Sequence, residues 1–225
     1  MAESIVGLIK DDGFQPGAEI PSEAELARRF GVSRLVVREA VRTLVAREIL
    51  VSSQGRPAQV TVPSARVLGQ ILEFRLHQRT LEFADLLDAR RLIEVELAGR
   101  AARRVADGEA DPTRGARLLA TALSRAPSRD RFIDLDLAFH EEIADLAGGE
   151  TLQMMLASLS SALRAARMAS YEGRERRGKG QAATLEHHRL ILEAIAAGDT
   201  ARARAAMAEH LAETERDLAH RPPRQ

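Results

Sequence analysis

The sequence predicts a mostly α-helical protein with one small β-hairpin near its N-terminal end. Three observations support this: helix-favouring Ala, Leu, Arg and Glu dominate the 225 residues, apolar residues recur at helical spacing, and only two short runs look like strands. The length allows one or two domains. Because 45% of the residues are hydrophobic and none is Trp, we expect an aliphatic core.

The composition excludes several classes of chemistry. The chain has no cysteine, which rules out disulfides, thiolate metal sites and cysteine nucleophiles. No apolar run approaches the ~20 residues that a membrane span needs, and the first ten residues lack a signal-peptide pattern. We therefore expect a soluble, cytoplasmic protein that does not bind membranes.

Three helices precede the predicted hairpin. The first covers about residues 2–12. Ser22 is a good N-cap for the second helix, Glu25 completes a capping box, and Gly31 ends the helix. Ser33 caps the third helix, which extends to about residue 48. Residues 49–52 and 58–62 then form the two strands.

The third helix carries two different faces. A core-facing stripe follows helical spacing and consists of Val37, Ala40, Val41 and Leu44. Arg34, Arg38 and Arg42 recur every four residues, in a row about 110° from that stripe. The stretch 28–56 contains seven basic and two acidic residues, a surplus of +5 in a chain of zero net charge. Such a face fits the major groove of DNA, where an arginine can bond guanine bidentately.

The hairpin supplies the second part of this interface. Gln54, Gly55 and Arg56 lie at its tip, where glycine allows close approach to the minor groove or the backbone of DNA. An arginine row alone is more often a solvated face. The order of helix, short helix, Gly-Val-Ser turn, arginine-bearing helix and hairpin is what predicts a winged helix-turn-helix.

The chain after Pro63 predicts helices only. Breaks near 78–79, 107–108, 127, 148–149, 173–180 and 198–199 divide it into about seven helices, six or seven of which form a bundle. We expect a DNA-binding domain over 1–63, a linker helix region over 64–79 and a helical domain over 80–220 that dimerises and binds ligands. Residues 221–225 are expected to be a disordered tail.

Polar residues interrupt the apolar stripes of three of these helices. Asp136 and His140 lie one turn apart on the same helix, and His188 and His210 each lie in a stripe of their own. One Asp and three His suit Zn²⁺, and also Ni²⁺, Mn²⁺ or Fe²⁺. A single histidine in a stripe is more often a core residue with an ordinary partner.

The other histidines leave one alternative open. His187 competes with His188, because the helix phase is not fixed to one residue by the sequence. His77 and His220 are expected at the surface.

The N-terminal residues resemble the winged helix of the GntR family over 1–62. The resemblance is carried by Pro16-Gly17, Ile20-Pro21-Ser22-Glu23, Leu26-Ala27, Phe30-Gly31-Val32-Ser33-Arg34, Val37-Arg38-Glu39-Ala40 and Leu44. It implies that Arg34 and Arg38 contact bases, that Ser33 and Leu35 lie against the DNA backbone, and that Gln54 and Gly55 enter the minor groove.

Three departures from the family pattern bear on the operator sequence. Arg47-Glu48-Ile49 stands where the family usually has Glu-Gly-Leu, so the turn into the first strand lacks its glycine. Pro57 replaces the second glycine of the wing tip, and Ala24 stands where many members have a polar or basic residue.

The C-terminal part resembles the FCD ligand-binding domain of the FadR-type subgroup of that family. The matching residues are Asp136-Leu137-Ala138-Phe139-His140, Glu186-His187-His188-Arg189 and the later His210. The resemblance implies a divalent metal, with Zn²⁺ preferred, on Asp136, His140, His188 and His210, and it selects His188 over His187. It also implies that Arg90 pairs with an effector carboxylate; the alternative is a plain surface pair between Arg90 and Glu94.

Together these patterns predict a homodimeric transcription regulator, a repressor or an activator, that binds an inverted-repeat operator in double-stranded DNA. A small carboxylate effector, bound at or near the metal, would control operator affinity. Three alternatives remain: a sensor in which the ion is the signal, a metal-dependent enzyme built on the helical bundle, and a structural DNA-binding protein with an inactive sensor domain. We do not expect an enzyme, because an arginine face and a wing serve no purpose in a hydrolase.

Overall fold

The computed structural model describes residues 1–53, 56–125 and 127–219. The chain forms two compact units, Met1–Val67 and Leu68–Gln225. The predicted wing-tip residues Gln54 and Gly55 and the predicted tail 221–225 lie outside the described residues. Within the described part, eleven helices and one two-stranded sheet confirm the mostly α-helical fold class.

The first unit contains three helices and the hairpin. They are α1 (Ala2–Asp11), α2 (Glu23–Phe30), α3 (Arg34–Ala46), β1 (Leu50–Val51) and β2 (Gln59–Val60). The strands pair antiparallel, with Leu50 opposite Val60. Ile5, Leu26 and Leu44 form the centre of an aliphatic core that also includes the inner face of the hairpin.

The predicted caps of α2 and α3 are confirmed. Ser22 accepts a hydrogen bond from the Glu25 amide, and the Glu25 carboxylate accepts one from the Ser22 amide at 2.8 Å. Gly31 ends α2 with φ +67°, a left-handed conformation that favours glycine. Ser33 accepts from the amide of Val36. Local hydrogen bonding therefore fixes where the arginine-bearing helix begins.

The turn that precedes β1 contains a residue in the left-handed conformation, although this chain has Glu48 where the family usually has glycine. Glu48 has φ +56°, which is uncommon for a residue with a side chain. Its carboxylate accepts hydrogen bonds from the Ser64 amide at 2.9 Å and from Arg66 Nε at 2.6 Å. These contacts lower the pKa of Glu48 to about 2, chiefly through Ser64. Glutamate in place of glycine thus preserves the turn and also binds the last residues of the first unit.

The second unit is all helical in its described residues. Its helices are α5 (Phe83–Ala106), α6 (Thr113–Arg125), α7 (Arg129–Ala147), α8 (Glu150–Ala162), α9 (Arg164–Arg176), α10 (Gly180–Ala196) and α11 (Thr200–Ala219), preceded by α4 (Arg66–His77). The predicted breaks all separate helices. One further break, at Leu163 between α8 and α9, was not predicted, since no glycine or proline marks it.

Helices α5, α7, α10 and α11 enclose the main core of the second unit. Leu97, Phe139, Ile191, Ile195 and Met207 are among its most deeply buried side chains. The core is mostly aliphatic, as expected, but polar side chains of α5, α7, α9, α10 and α11 are buried with it. These polar side chains define the candidate site described below.

Helices α9 and α11 approach closely at Gly173. A Cβ atom placed on Gly173 would lie 2.0 Å from the backbone oxygen of Asp217. The next residue, Arg174, donates from Nε to the Asp217 carboxylate at 2.7 Å. The glycine therefore permits the close backbone approach that accompanies this buried ion pair.

We expect Gly173→Ala to destabilise the second unit by about 1–3 kcal/mol or more, because the obstructing atom is backbone and the helices must separate. The measurement is amide hydrogen exchange across α9 and α11, which reports local opening free energies. Gly7→Ala is the matched control, since a Cβ there meets nothing within 4 Å. Alanine at that helical position should stabilise by roughly 0.5–1 kcal/mol. Unchanged exchange in Gly173→Ala would contradict the close packing.

Candidate functional site

The predicted arginine row lies on the solvent side of α3. Arg34, Arg38 and Arg42 are exposed, as are Ser33 and Leu35, whereas the stripe Val37, Ala40, Val41 and Leu44 is buried. Leu35 is 64% exposed. The aliphatic stripe thus anchors α3 and leaves its opposite side open to a partner.

Two of these arginines carry carboxylate partners. Arg38 Nε donates to Glu23 on α2 at 3.1 Å, and Arg42 donates to Glu39 at 2.7 Å. Glu23 was missed in the charge count of the sequence because it lies outside the stretch 28–56. Exposed pairs of this kind contribute about 0–1 kcal/mol, so phosphates or bases can displace them.

The hairpin stands beside this face within the first unit. Arg56 is exposed, and its amide donates to the Ser53 carbonyl at 3.3 Å. A groove of about 520 Å³ is lined by Arg38 from α3 and by Ser52, Ser53 and Arg56 from the hairpin. Arg38 of the arginine row and the described part of the wing therefore face one shared space.

The second unit brings the four predicted metal ligands together. Asp136 and His140 come from α7, His188 from α10 and His210 from α11. One ligand atom from each residue lies within 4.8 Å of all the others. The three histidines are 2–3% exposed.

Two of the distances between these atoms are close to those expected around a first-row divalent ion. His140 Nε2 lies 3.2 Å from His210 Nε2, and Asp136 Oδ1 lies 3.4 Å from His188 Nε2 and 3.9 Å from His140 Nε2. Ligand atoms on a tetrahedral zinc at 2.0–2.1 Å would be separated by about 3.3–3.4 Å. The donor set and its spacing therefore suit the metal that the sequence predicts.

Neighbouring residues orient the imidazoles. His140 Nδ1 contacts the carboxylate of Glu94 on α5, which places the proton on Nδ1 and leaves Nε2 as the ligand atom. The ring of His188 stacks on Phe139, with centroids 4.0 Å apart. Metal-binding histidines commonly depend on such supporting contacts.

The protonation states also suit metal binding. Burial lowers the pKa of His188, and burial with the charges of His188 and His140 lowers the pKa of His210 well below its usual value. Burial acts to raise the pKa of Asp136, but the contact with His188 and the charges of His140 and Arg167 outweigh it. His188 and His210 are therefore neutral and Asp136 ionised near pH 7, the forms that bind metals.

A small cavity lies beside the four residues. It measures about 20 Å³, room for about one water, and is lined by Arg90, Phe132, Ile133, Asp136, Arg167, Ser170, Tyr171, Arg174, His210 and Thr214. Burial and the charge of Arg90 lower the pKa of Arg167 to about 10, although Asp136 and Glu94 oppose this. The cavity thus borders two residues of the four-residue cluster, Asp136 and His210, together with three arginines, of which the sequence singled out only Arg90.

Arg90 and Glu94 form a buried ion pair, not a surface pair. Arg90 Nε donates to Glu94 at 2.5 Å, and both side chains are 2–3% exposed. Arg90 Nη2 also lies 3.4 Å from His140 Nε2. The alternative of a solvent-exposed Arg90–Glu94 pair is therefore wrong, and Arg90 points into the cavity.

The remaining histidines among the described residues do not belong to the cluster of Asp136, His140, His188 and His210. His187 is half-buried with its ring 5.9 Å from that of His210, and it does not belong to the four-residue group. His77 is exposed, as expected. His220 lies outside the described residues.

Comparison with known families identifies both parts of the chain. Residues 1–60 match the model of the bacterial regulatory proteins of the gntR family, and residues 85–213 match that of the FCD domain. The chain belongs to the GntR family. The FCD match covers more than half of the chain and confirms the predicted FadR-type arrangement.

Relatives and solved structures extend this comparison. The chain is 31% identical to the HTH-type transcriptional regulator LutR of Bacillus subtilis over 92% of this chain and 94% of the relative. It is 27% identical to the galactonate operon transcriptional repressor of Escherichia coli K12, over 81% and 79% respectively. The Streptococcus agalactiae GntR structure shares the fold, with a TM-score of 0.68, 24% identity and coverage of 96% of this chain and 97% of that one.

These matches identify a DNA-binding transcriptional regulator of the GntR type with an FCD domain. Because these relatives are named as transcription regulators, the alternative of a metal-dependent enzyme is not supported. Among the described residues, no helix is both long and apolar enough to span a membrane.

Proposed function

We propose that this GntR-family protein is a homodimer whose affinity for an inverted-repeat operator is controlled by a small carboxylate bound at or near a divalent metal. The observation that carries the proposal is the buried convergence of Asp136, His140, His188 and His210. A two-fold symmetric regulator matches a two-fold symmetric operator.

The metal would be held by these four side chains, with Zn²⁺ the first choice and Ni²⁺, Mn²⁺ or Fe²⁺ the others. A bound ion with five or six ligands would offer one or two further positions to an oxygen of the effector. Glu94 holds His140 in its ligand orientation, and Phe139 supports the ring of His188. The protein would thus supply a rigid donor set.

Charge balance favours an anionic effector. Three buried arginines of the cavity wall, Arg90, Arg167 and Arg174, each contact one carboxylate: Glu94, Asp136 and Asp217. Histidines that bind a metal are neutral. Within these three pairs the charges then cancel, so an ion of charge 2+ would add two positive charges to the buried cluster. Burying positive charge without a partner costs free energy, and a bound carboxylate lowers this cost because it adds a negative charge.

The chemistry of the cavity narrows the class of carboxylate. Hydroxyl groups of Ser170, Tyr171 and Thr214 line it together with the arginines. One relative is named for the galactonate operon, and galactonate carries a hydroxyl next to its carboxylate. We therefore favour small hydroxycarboxylates over acyl chains.

A pure metal sensor is the second candidate, because four protein ligands can complete a tetrahedral shell without an effector. In either case the ligand must bind two conformations with different affinity to change operator binding. Operator affinity that follows metal concentration, and is indifferent to hydroxycarboxylates, would favour the sensor.

Metal content is the first test. We expect about one divalent ion per chain in protein purified without a histidine tag, measured by elemental mass spectrometry. The double variant His140→Ala with His188→Ala should lose it, because half of the donor set is gone. His187→Ala is the matched control and should retain the ion. Equal metal content in the double variant and wild type would remove these histidines from the proposal.

Glu94→Gln tests the contact that orients His140. We expect metal affinity to fall about 10–100-fold, the range typical when a partner of a metal-bound histidine is replaced. Competition with a chromophoric chelator measures this affinity. Glu96→Gln is the control on the same helix, since Glu96 pairs with Arg100 and Arg204 outside the cluster. An unchanged affinity in Glu94→Gln would show that Glu94 does not support the site.

Arg38→Ala should weaken binding to operator DNA by roughly 1–3 kcal/mol and relax specificity at one base. Fluorescence anisotropy with operator and random duplexes separates base from phosphate contacts. Glu23→Gln removes the competing partner of Arg38 and should leave binding equal or tighter. An equal loss on both duplexes in Arg38→Ala would indicate that Arg38 touches phosphate only.

A further inference from the structure

We propose that Arg167 is the principal anion-binding residue of the sensing cavity, where its guanidinium receives the carboxylate of a small hydroxycarboxylate. This inference rests on the proposed function and assigns a residue and a binding mode to it. Arg167 lies on α9, outside every motif that the sequence analysis singled out.

The guanidinium of Arg167 is buried and incompletely bonded. The residue is 5% exposed, and Nε donates to Asp136 Oδ2 at 3.1 Å. Within the described residues, neither Nη1 nor Nη2 has a hydrogen-bond partner, although both atoms are shielded from solvent. Buried donors of a charged group are normally satisfied, so this pair indicates a position for a ligand or an ordered water.

The other two arginines of the cavity wall are already engaged. Arg90 Nε bonds Glu94 at 2.5 Å, and Arg174 Nε bonds Asp217 at 2.7 Å. Nη2 of Arg90 also lies 3.4 Å from His140 Nε2, and Nη2 of Arg174 also contacts Asp217. Arg167 differs because neither of its terminal nitrogens has a hydrogen-bond partner among the described residues. A guanidinium binds a carboxylate best through two parallel N–H groups. Arg167 is therefore the residue best prepared to receive one.

Asp136 connects this position to the four-residue cluster. Its Oδ1 faces His188 and His140, whereas its Oδ2 accepts from Arg167. Occupation of the cluster through Oδ1 would thus leave the Arg167 contact in place. A carboxylate bound to Arg167 would lie beside the cluster, within the same cavity.

The surroundings restrict the ligand to a small polar anion. Ser170 and Tyr171 follow Arg167 on the same helix, and Thr214 lies opposite on α11, so hydroxyl groups of the ligand have partners. The cavity of about 20 Å³ holds about one water, so even a few carbon atoms require side chains to move. A long acyl chain does not fit this description.

The experiment compares wild type, Arg167→Met and Arg164→Met by isothermal titration. Zn²⁺ is titrated first, followed by glycolate, L-lactate and galactonate, with chloride as the non-carboxylate anion. Methionine keeps much of the length of the side chain and removes the charged fork. Arg164 is the matched control, because it pairs with Asp134 at 3.2 Å on the exposed side of α9.

Because Arg167 also supports Asp136, we expect Arg167→Met to lower Zn²⁺ affinity by up to about 100-fold. The carboxylates are therefore titrated into proteins already saturated with Zn²⁺. There Arg167→Met alone should lose roughly 10–100-fold in carboxylate affinity, as the removal of charge-assisted hydrogen bonds implies. A merely structural Arg167 would instead leave the carboxylate affinity of the Zn²⁺-saturated protein unchanged. The visible spectrum of Co²⁺-loaded protein provides an independent check, since a carboxylate should change it in wild type and in Arg164→Met but not in Arg167→Met at the same concentration.

Each other outcome overturns the inference in a distinguishable way. Equal carboxylate affinity in wild type and Arg167→Met would exclude Arg167 and leave the proposed function standing. Wild type that binds Zn²⁺ but none of the three carboxylates would overturn the carboxylate effector as well. If Arg167→Met does not fold, Arg167→Lys decides, since it keeps the charge without the fork: an undiminished carboxylate affinity there would overturn bidentate recognition.

Discussion

The central constraint on the second unit is the burial of ionisable groups inside an apolar helical bundle. Asp136, His140, His188 and His210 lie in the part of the bundle where aliphatic side chains also pack. Each buried charge needs a compensating partner, because desolvation is costly. Glu94 on α5 contacts His140, and Arg167 on α9 pairs with Asp136. Residues of α5 and α9 therefore supply the partners of the buried groups that lie on α7, α10 and α11.

The two units are stabilised by different combinations of interactions. The winged unit has an aliphatic core and is specified locally: its caps and glycine stop set the start of α3 and so the side on which its arginines stand. The helical unit combines its own aliphatic core with long-range polar contacts between neighbouring helices. A ligand that binds at the buried polar contacts of the second unit can alter the packing of its helices. The arginine-bearing helix α3 of the first unit, by contrast, is held by apolar burial.

Sequence periodicity was sufficient for features that depend on one helix. The capping box at Ser22, the buried stripe of α3 and the shared face of Asp136 and His140 all follow from spacing. The convergence of ligands from three helices was predicted from the family resemblance and not from spacing alone. Other contacts between two helices were not predicted, because no spacing rule relates residues on different helices. Arg167 on Asp136 and Glu23 on Arg38 are of this kind. The break at Leu163 was missed because neither glycine nor proline stands there.

Glu48 illustrates how a locally unfavourable residue can be retained for a longer-range purpose. A glycine would adopt φ +56° without strain, but it has no carboxylate to hold Ser64 and Arg66. The same residue therefore shapes the entry to β1 and holds the segment at which α4 begins. A displacement of the first residues of α4 would therefore be transmitted through Glu48 to the turn that enters β1.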